Sequence, residues 1–370
     1  MEAATARAWA ALDLEALAWN LGRLRRRLPP GCQVMAVVKA DAYGHGALPV
    51  AKALQANGVR AFCVACLDEA VALRRGGIRG EILILGYTHP AQFPQLLQYD
   101  LTQAILDLDY AKALAACGPI KGHLALDTGM HRLGLDAGDP DSIGQIFALP
   151  RLRVTGLFTH LCADTGTAPA QRAFTQAQAD AFWSAVRLVR RRGYTPRAHL
   201  LSSYGLLYYP QLGGDYARIG IALYGLGSRR DLPSGIALRP VLSLHARVSG
   251  VRTVAAGQSV GYGFGYTASS PRTIATLAIG YADGIPAALP SGAGHVGLHG
   301  GLAPIIGSVC MDQLMVDVTG LPPVKQGDIA TLFGPGGPSA YDLATAAGLT
   351  TNALLSDLGP RLPRIVSAAR

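Results

Sequence analysis

Eight short apolar segments alternate with amphipathic segments over roughly the first 220 residues, and this alternation limits the possible folds most strongly. Short apolar runs are typical of strands buried on both faces, and apolar residues three and four positions apart are typical of helices. Eight strand–helix units in this length predict an α/β fold with a closed TIM (β/α)8 barrel rather than an open doubly wound sheet. The predicted strands are residues 34–38, 61–65, 82–85, 103–106, 123–126, 154–159, 198–201 and 216–219.

The pattern changes near Arg239, where Gly and Pro become frequent and apolar residues alternate with polar ones. A period of two is typical of strands with one buried face. We therefore expect a barrel domain over residues 1–235, followed by a mostly β C-terminal domain over residues 236–370. About the first ten residues are candidates to pair with that second domain.

The composition disfavours nucleic-acid and membrane partners. The net charge of +9 is spread along the chain, and its densest runs, residues 25–27 and 190–192, fall on helical patterns where a solvent-exposed face explains them. No apolar run has the length of a membrane span or a signal peptide, so we expect a cytoplasmic protein. Cys63 and Cys66 have C-x-x-C spacing inside an apolar run with no visible helix start, which predicts buried thiols and no metal site.

One lysine stands where surface lysines are rare. Lys39 ends an apolar run, and only 5 of the 33 basic residues are lysines. A lysine packed against apolar neighbours loses solvation of its charged form, so its pKa falls and its free amine can attack a carbonyl. In isolation such a residue is more often a lysine whose ammonium reaches back to water.

The barrel prediction offers a test that does not depend on Lys39. Active sites in this fold lie at the C-terminal ends of the strands, and phosphate sites favour the loops after strands seven and eight. A hydroxyl and glycine-flanked backbone amides follow these last two strands, which suits a phosphate. The polar residues at predicted strand ends are Lys39, residues 127–132, His160, residues 202–203 and residues 218–221.

Taken together, these segments resemble the alanine racemases, a family with a barrel followed by a β domain. Residues 35–46 are similar to the family's coenzyme attachment site, and residues 126–134 are similar to its L-D-T-G-M-x-R-L-G motif. The likeness covers nearly the whole chain. Further matches occur in the same order at residues 158–160, 199–203, 218–225, 261–263, 279–284, 309–313 and 361–364.

The resemblance implies a pyridoxal 5'-phosphate-dependent isomerase that interconverts L-alanine and D-alanine and supplies D-alanine for cell-wall synthesis. It implies that Lys39 attaches the coenzyme and is one of two catalytic bases. It implies that Arg218 meets the pyridine nitrogen; because arginine keeps its proton, it cannot protonate the ring, which disfavours transamination. The residues implied to hold the phosphate are Tyr43, Ser203, Gly220 and Ile221.

Racemisation needs a base on each face of the Cα atom. The resemblance assigns the second base to Tyr262, supplied by the partner subunit of a homodimer with shared active sites. A phenol with an unperturbed pKa near 10 needs hydrogen-bonding support to act near neutrality, and His160 resembles the histidine that links this tyrosine to the arginine. The resemblance also implies that Met311 and Asp312 lie at the amino-acid substrate's carboxylate and entrance, with Tyr281 lining the entrance.

Two positions depart from the family's pattern. Ala125 stands where many members carry a carbamylated lysine, which orients the arginine that corresponds to Arg132, at the coenzyme and substrate. Arg132 must therefore be held otherwise, and a bound anion and His131 are the candidates. Ala353 stands where the family usually has a tyrosine beside the substrate methyl and the phosphate, so a serine or broader-specificity racemase is the alternative.

Two other classes deserve comparison. Related barrel decarboxylases resemble different phosphate-loop strings, which this sequence lacks. Coenzyme-binding relatives without turnover have a single domain and lack the second base, whereas this chain continues well beyond the predicted barrel.

Overall fold

The computed structural model describes residues 5–163, 168–227, 232–233 and 235–366. They form two compact units. The barrel unit contains the described residues of Leu17–Ala42 and Ala47–Arg239, and the β unit contains those of Met1–Ala16, Tyr43–Gly46 and Pro240–Arg370.

Eight parallel strands close the barrel unit, which confirms the predicted TIM barrel. The last strand, Tyr216–Ile219, pairs in parallel with the first, Gln33–Val37, so the sheet returns to its starting edge. Strands such as Ala61–Val64 are buried along their whole length, since helices cover the outside and side chains fill the inside. The other strands are Glu81–Ile84, Thr102–Ile105, Lys121–Asp127, Arg153–Phe158 and a seventh in two pieces, Arg197–His199 and Leu201–Ser202; Leu135–Asp136 pairs with the fifth.

Several helices of the barrel begin at a residue whose side chain caps the helix. Asp107 accepts a hydrogen bond from the N–H of Tyr110 (2.7 Å), and Asp139 accepts one from the N–H of Ser142 (3.0 Å). The helices are Leu14–Arg25, which leads into the barrel, Ala47–Ala56, Leu67–Arg75, Phe93–Gln98, Leu108–Cys117, Pro140–Ala148, Pro169–Arg191 and Ser203–Tyr208, with 3-10 turns at Pro90–Gln92 and Pro210–Leu212.

The β unit is built around the strand Leu242–Val254, in which buried residues alternate with half-buried ones over the first half. This strand pairs antiparallel with Ala8–Leu12, Arg272–Leu277 and Ile329–Phe333. The other strands are His295–Leu298, Gly301–Ile306, Leu314–Asp317, Arg364–Val366 and the pair Ser259–Val260 and Tyr266–Thr267; the helices are Ala340–Ala346 and Thr351–Ser356, and 3-10 turns occur at Tyr262–Phe264 and Tyr281–Asp283.

The C-x-x-C pair is not part of one strand. Cys63 is buried, but Cys66 is exposed and directly precedes the helix Leu67–Arg75. The expectation of buried thiols with no nearby helix start is therefore wrong at Cys66. The strand stops because the N–H of Ala65 donates to the Glu69 carboxylate (2.7 Å). Within the described residues, every helix is too short or too polar to span a bilayer.

Candidate active site

The chain leaves Lys39 in a turn of left-handed helix. Ala40, Asp41 and Ala42 have φ of 51°, 51° and 55° with ψ of 53°, 44° and 49°. This conformation costs roughly 1–2 kcal/mol per L-residue, because Cβ crowds the following carbonyl. Such a concentration of backbone strain occurs where the surroundings determine the conformation, and it is common at functional sites.

Two carboxylates hold this strained turn. Glu69 accepts hydrogen bonds from the N–H groups of Ala40 (2.6 Å) and Ala65 (2.7 Å), so it joins the segments that follow the first two barrel strands. Asp41 accepts from the N–H of Ala47 (2.6 Å) at the start of the next helix. The position of Lys39 is therefore fixed by side chains on both sides of the turn.

The Lys39 side chain is half-buried at the C-terminal end of the first strand. Burial and the charge of Arg132 lower the pKa of Lys39, against smaller opposing effects of Cys63 and Glu69. The fall in pKa expected from the apolar run is thus present, and Arg132 adds a second cause. A larger share of the amine is unprotonated than for a lysine in water, which favours nucleophilic and basic chemistry.

Arg218 is 4% exposed, which excludes a surface ion pair. Its guanidinium donates to the carbonyl oxygens of Thr159 (2.6 Å) and His199 (2.9 Å) and to Nδ1 of His199 (2.8 Å). Burial lowers the pKa of Arg218 to about 10, with Arg132 contributing and Cys63 opposing. Arg218 is therefore a buried cation that keeps its proton at neutral pH.

His160 is neutral, and its tautomer follows from its partner. Nη2 of Arg218 lies 3.3 Å from Nδ1 of His160. Because the guanidinium can only donate, Nδ1 accepts and the ring proton is on Nε2. Burial, together with the charges of Arg218, Arg132 and Lys39, lowers the pKa of His160 to about 3.

Ala125, at the position expected to carry a carbamylated lysine in many racemases, lies among apolar side chains. Ala125 is buried in a cluster with Ala104 and Phe158. The His131 ring contacts Asp127 (Nδ1–Oδ2, 3.1 Å) and not Arg132. The hypothesis that His131 holds Arg132 is therefore wrong. Asp127 also accepts a hydrogen bond from the N–H of His131, so it orders this loop. Arg132 is exposed and has no hydrogen-bond or ion-pair partner among the described residues.

Hydrogen-bond donors, namely a hydroxyl and several backbone N–H groups, follow the last two barrel strands. The N–H groups of Gly220 (3.0 Å) and Ala222 (3.4 Å) donate to Oγ of Ser203, which leaves the hydroxyl proton of Ser203 for another acceptor. The N–H of the buried Ile221 has no acceptor among the described residues. Unpaired buried N–H groups are rare in folded proteins, so this location suits an anionic oxygen such as that of a phosphate.

The other predicted site residues belong to the β unit. Tyr262 is 75% exposed, in a tight turn where Gly261 (φ 81°) and Gly263 (φ 64°) adopt left-handed backbone angles. The loops that carry Tyr281 and Met311 are joined by the hydrogen bond from the N–H of Tyr281 to the carbonyl of Cys310 (3.0 Å). Arg361 donates to Asp312 (2.7 Å) and so orients its carboxylate.

Tyr43 and Ala353 also lie within the β unit. Gly44, with φ of 74°, packs so closely on the carbonyl of Leu355 that a Cβ atom would collide with it. Arg364 donates to the carbonyl of Gly44 (2.9 Å) and adds to this attachment. The segment that follows Tyr43 is thus packed on the helix Thr351–Ser356, in which Ala353 is half-buried.

The structure brings Lys39, Arg132, His160 and Arg218 close enough for their charges to affect one another. Sequence reasoning missed Glu69, which supports the turn after Lys39. It also missed Glu81 and His123 inside the barrel. For Glu81 and His123, the sequence signal was a polar residue in an otherwise apolar strand, which is uncommon unless that residue has a buried polar partner.

Comparison with known proteins adds to this geometry. Residues 12–228 match the family model described as alanine racemase, N-terminal domain, and residues 241–366 match the model described as alanine racemase, C-terminal domain. The chain belongs to the alanine racemase family. The expected resemblance is confirmed.

Individual relatives agree with this family. The chain is 37% identical to an alanine racemase of Nostoc sp., over 97% of this chain and 95% of that protein. It is 41% identical to an amino-acid racemase of Enterococcus faecalis over 97% of this chain, but spans only about half of that longer protein (51%). The solved structure of an alanine racemase from Clostridium difficile superposes with a TM-score of 0.93 at 29% identity, covering 98% of this chain and 96% of that one.

Proposed function

We propose that this chain is a pyridoxal 5'-phosphate-dependent amino-acid racemase that interconverts L-alanine and D-alanine as a cytoplasmic homodimer. The observation that carries the proposal is the grouping of Lys39, with its lowered pKa, and the buried cation Arg218 at one end of the barrel. The match to both family domains supports the same activity.

The barrel unit offers suitable partners for each part of pyridoxal phosphate. Ser203, Gly220 and Ile221 would hold the phosphate. Arg218 would face the pyridine nitrogen, Arg132 would face the phenolic oxygen, and the Lys39 amine would carry the covalent attachment. When bound, the coenzyme would stabilise negative charge at Cα as an electron sink.

The protein's own contribution is the placement of protons. The lowered pKa of Lys39 makes its amine available as a base on one face of the substrate. Arg218 keeps its own proton and withholds it from the ring nitrogen, so a proton returns to Cα rather than elsewhere. Neutral His160, with its proton on Nε2, would donate to the phenolate of the partner subunit's Tyr262 and so support the second base.

Incubation of the pure protein and coenzyme with single L-amino acids, followed by chiral chromatography, tests this proposal. D-Alanine should accumulate from L-alanine until the two enantiomers are equal. An amine product without its carboxylate would identify a decarboxylase instead. Coenzyme binding without any turnover would identify a coenzyme-binding protein.

The homodimer is supported by a cluster of exposed side chains on the β unit. Tyr262, Phe264 and Met311 are 75%, 81% and 53% exposed, and Oγ of Ser308 donates to the carbonyl of Tyr262 (3.2 Å), which ties this turn to the loop of Met311. Exposed apolar clusters of this kind are typical of protein interfaces. We infer that Tyr262 and Met311 complete the site of the opposite subunit.

Subunit mixing provides the corresponding prediction. Lys39→Ala and Tyr262→Phe proteins, each nearly inactive alone, should regain activity after mixing and subunit exchange. Random exchange should restore roughly a quarter of the sites, because half of the dimers would be hybrids with one intact site of two. Mixing Lys39→Ala with the double variant Lys39→Ala/Tyr262→Phe should restore nothing. Full turnover by a strictly monomeric wild-type species would contradict shared sites.

A second candidate substrate, serine, is favoured by Ala353. A methyl group at this position leaves space that a tyrosine would fill, so the wild type should accept serine as well as alanine. Ala353→Tyr should raise the preference for alanine over serine by about tenfold or more, a typical effect of pocket volume, and should tighten coenzyme binding through the added hydroxyl.

Steady-state kinetics with both amino acids, and titration with the coenzyme, measure these effects. Ala353→Phe is the matched control, because it fills the same volume without the hydroxyl. It should restore the preference for alanine but leave coenzyme affinity unchanged. If the wild type already rejects serine as strongly as Ala353→Tyr does, Ala353 does not set the pocket size.

A further inference from the structure

A line of polar side chains crosses the interior of the barrel and ends at Arg218. Nη1 of Arg218 lies 2.8 Å from Nδ1 of His199, and Nε2 of His199 lies 2.8 Å from Nδ1 of His123. Nε2 of His123 lies 2.9 Å from Oε1 of Glu81, the first residue of the third strand. Both histidines are fully buried.

The order of protons along this line follows from its two ends. Arg218 can only donate, so Nδ1 of His199 accepts and its proton is on Nε2. That N–H donates to Nδ1 of His123, which puts the second ring's proton on Nε2 as well. Burial and the nearby Arg218 and His123 lower the pKa of His199 well below its ordinary value, so its ring is neutral.

Glu81 supplies the acceptor at the far end. Burial would raise the pKa of Glu81, but the close approach of His123, the hydrogen bond from Tyr216 and the charge of Arg197 outweigh this effect, so the pKa is lowered and the carboxylate is ionised at neutral pH. Tyr216 donates to Oε2 (3.0 Å). The His123 N–H approaches Oε1 at a poor angle, yet it has no better acceptor among the described residues.

We propose that Glu81 is a positioning residue, which sets the proton order of His123 and His199 and thereby holds Arg218 in the orientation used in the proposed racemase reaction. With the opposite order, the N–H at Nδ1 of His199 would face the N–H of Arg218. Two donors would then meet in a buried space, and the guanidinium would have to turn away. Glu81 acts through its neighbours and touches no reacting atom.

Glu81→Gln tests this role, because it retains the size of the side chain and removes its charge. Its amide can donate to His123 as well as accept, so the acceptor end no longer imposes the proton order and only the donor end at Arg218 opposes its reversal. We expect kcat for alanine to fall about tenfold, as for other residues that orient functional groups through a second side chain, with KM changed less than about twofold. Asp100→Asn is the matched control, since among the described residues the Asp100 carboxylate forms an ion pair only with Lys121, at the rim of the same barrel.

The second readout is the 15N spectrum of histidine-labelled holoenzyme, with the signals assigned by His123→Gln and His199→Gln. In the wild type and in Asp100→Asn, both rings should be neutral with the proton on Nε2. In Glu81→Gln, the opposite tautomer should appear at one or both rings. Glu81→Asp, which keeps the charge, should retain the wild-type tautomers.

Several results would overturn the proposal. These are a wild-type spectrum with either ring charged or protonated on Nδ1, a fall in kcat without a change in tautomer, and a change in tautomer without a fall in kcat. If Glu81→Gln does not fold, the tautomers seen in the wild-type and Glu81→Asp spectra test the proposed proton order instead. A wild type without racemase activity would contradict the proposed function, whereas the spectra judge the proton order separately.

Discussion

Replacing Lys39 by alanine is expected to abolish covalent coenzyme attachment and to lower turnover by about a thousandfold or more, the scale of a lost catalytic base. The half-buried amine, with its lowered pKa, is proposed both to attach the coenzyme and to exchange a proton at Cα. Borohydride reduction of the wild type, followed by peptide mapping, should find the coenzyme on the peptide that contains Lys39. Labelling of any other peptide would contradict the assignment.

Lys52→Ala is the matched control, because Lys52 is an exposed lysine on the next helix. It should leave labelling and turnover unchanged. The attachment rate should rise with pH as the amine loses its proton, and it should level off below the value of about 10.4 for an ordinary lysine. Since the charge of Arg132 contributes to the lowered pKa, Arg132→Met should move this midpoint upward.

The barrel could be predicted from the sequence because its strands are buried on both faces. The last strand, Tyr216–Ile219, has the predicted bounds, and the first differs by one residue at each end. The apolar run that includes Cys66 led to a wrong prediction because a buried strand was expected to extend over the whole run. Apolar residues continue past Val64 into the helix that follows, and only the contact between Ala65 and Glu69 marks the boundary.

The grouping of Lys39, His160 and Arg218 could also be predicted, since the C-terminal ends of parallel strands meet at one end of a barrel. The left-handed turn after Lys39 could not. Alanine disfavours that conformation, and nothing near Ala40 and Ala42 in the sequence indicates it. The turn depends on Glu69, which is distant along the chain and whose contact exists only after the first two strands have paired.

The line of polar side chains from Glu81 to Arg218 also could not be predicted from the sequence, because its contacts form only in the folded barrel. Glu81, His123 and His199 lie on three different strands, and their contacts depend on which side chains point into the barrel. A sequence shows each of them as a single polar residue in an apolar strand. Only the closed sheet shows that each compensates for the burial of the next.

Removing the hydroxyl of Tyr262 is expected to separate the two directions of proton exchange. In Tyr262→Phe, Lys39 remains, so exchange of the Cα proton with solvent should persist from the enantiomer whose proton faces Lys39. From the other enantiomer it should fall by about a hundredfold or more, the effect of one lost general base. Deuterium incorporation from D2O, measured separately for L-alanine and D-alanine by mass spectrometry, gives both rates.

The structure indicates that Tyr262→Phe removes the hydroxyl without changing the turn that carries it. Tyr262 is 75% exposed, and the left-handed angles of its turn are carried by Gly261, Gly263 and Phe264 rather than by Tyr262, so the loss of one oxygen leaves the turn intact. Tyr266→Phe removes a hydroxyl from the same region, where the Tyr266 ring packs against an apolar cluster, and it should slow neither direction. Because only a base confined to one face can make the two enantiomers differ, equal losses in both directions for Tyr262→Phe would show that Tyr262 supports binding or assembly rather than proton transfer.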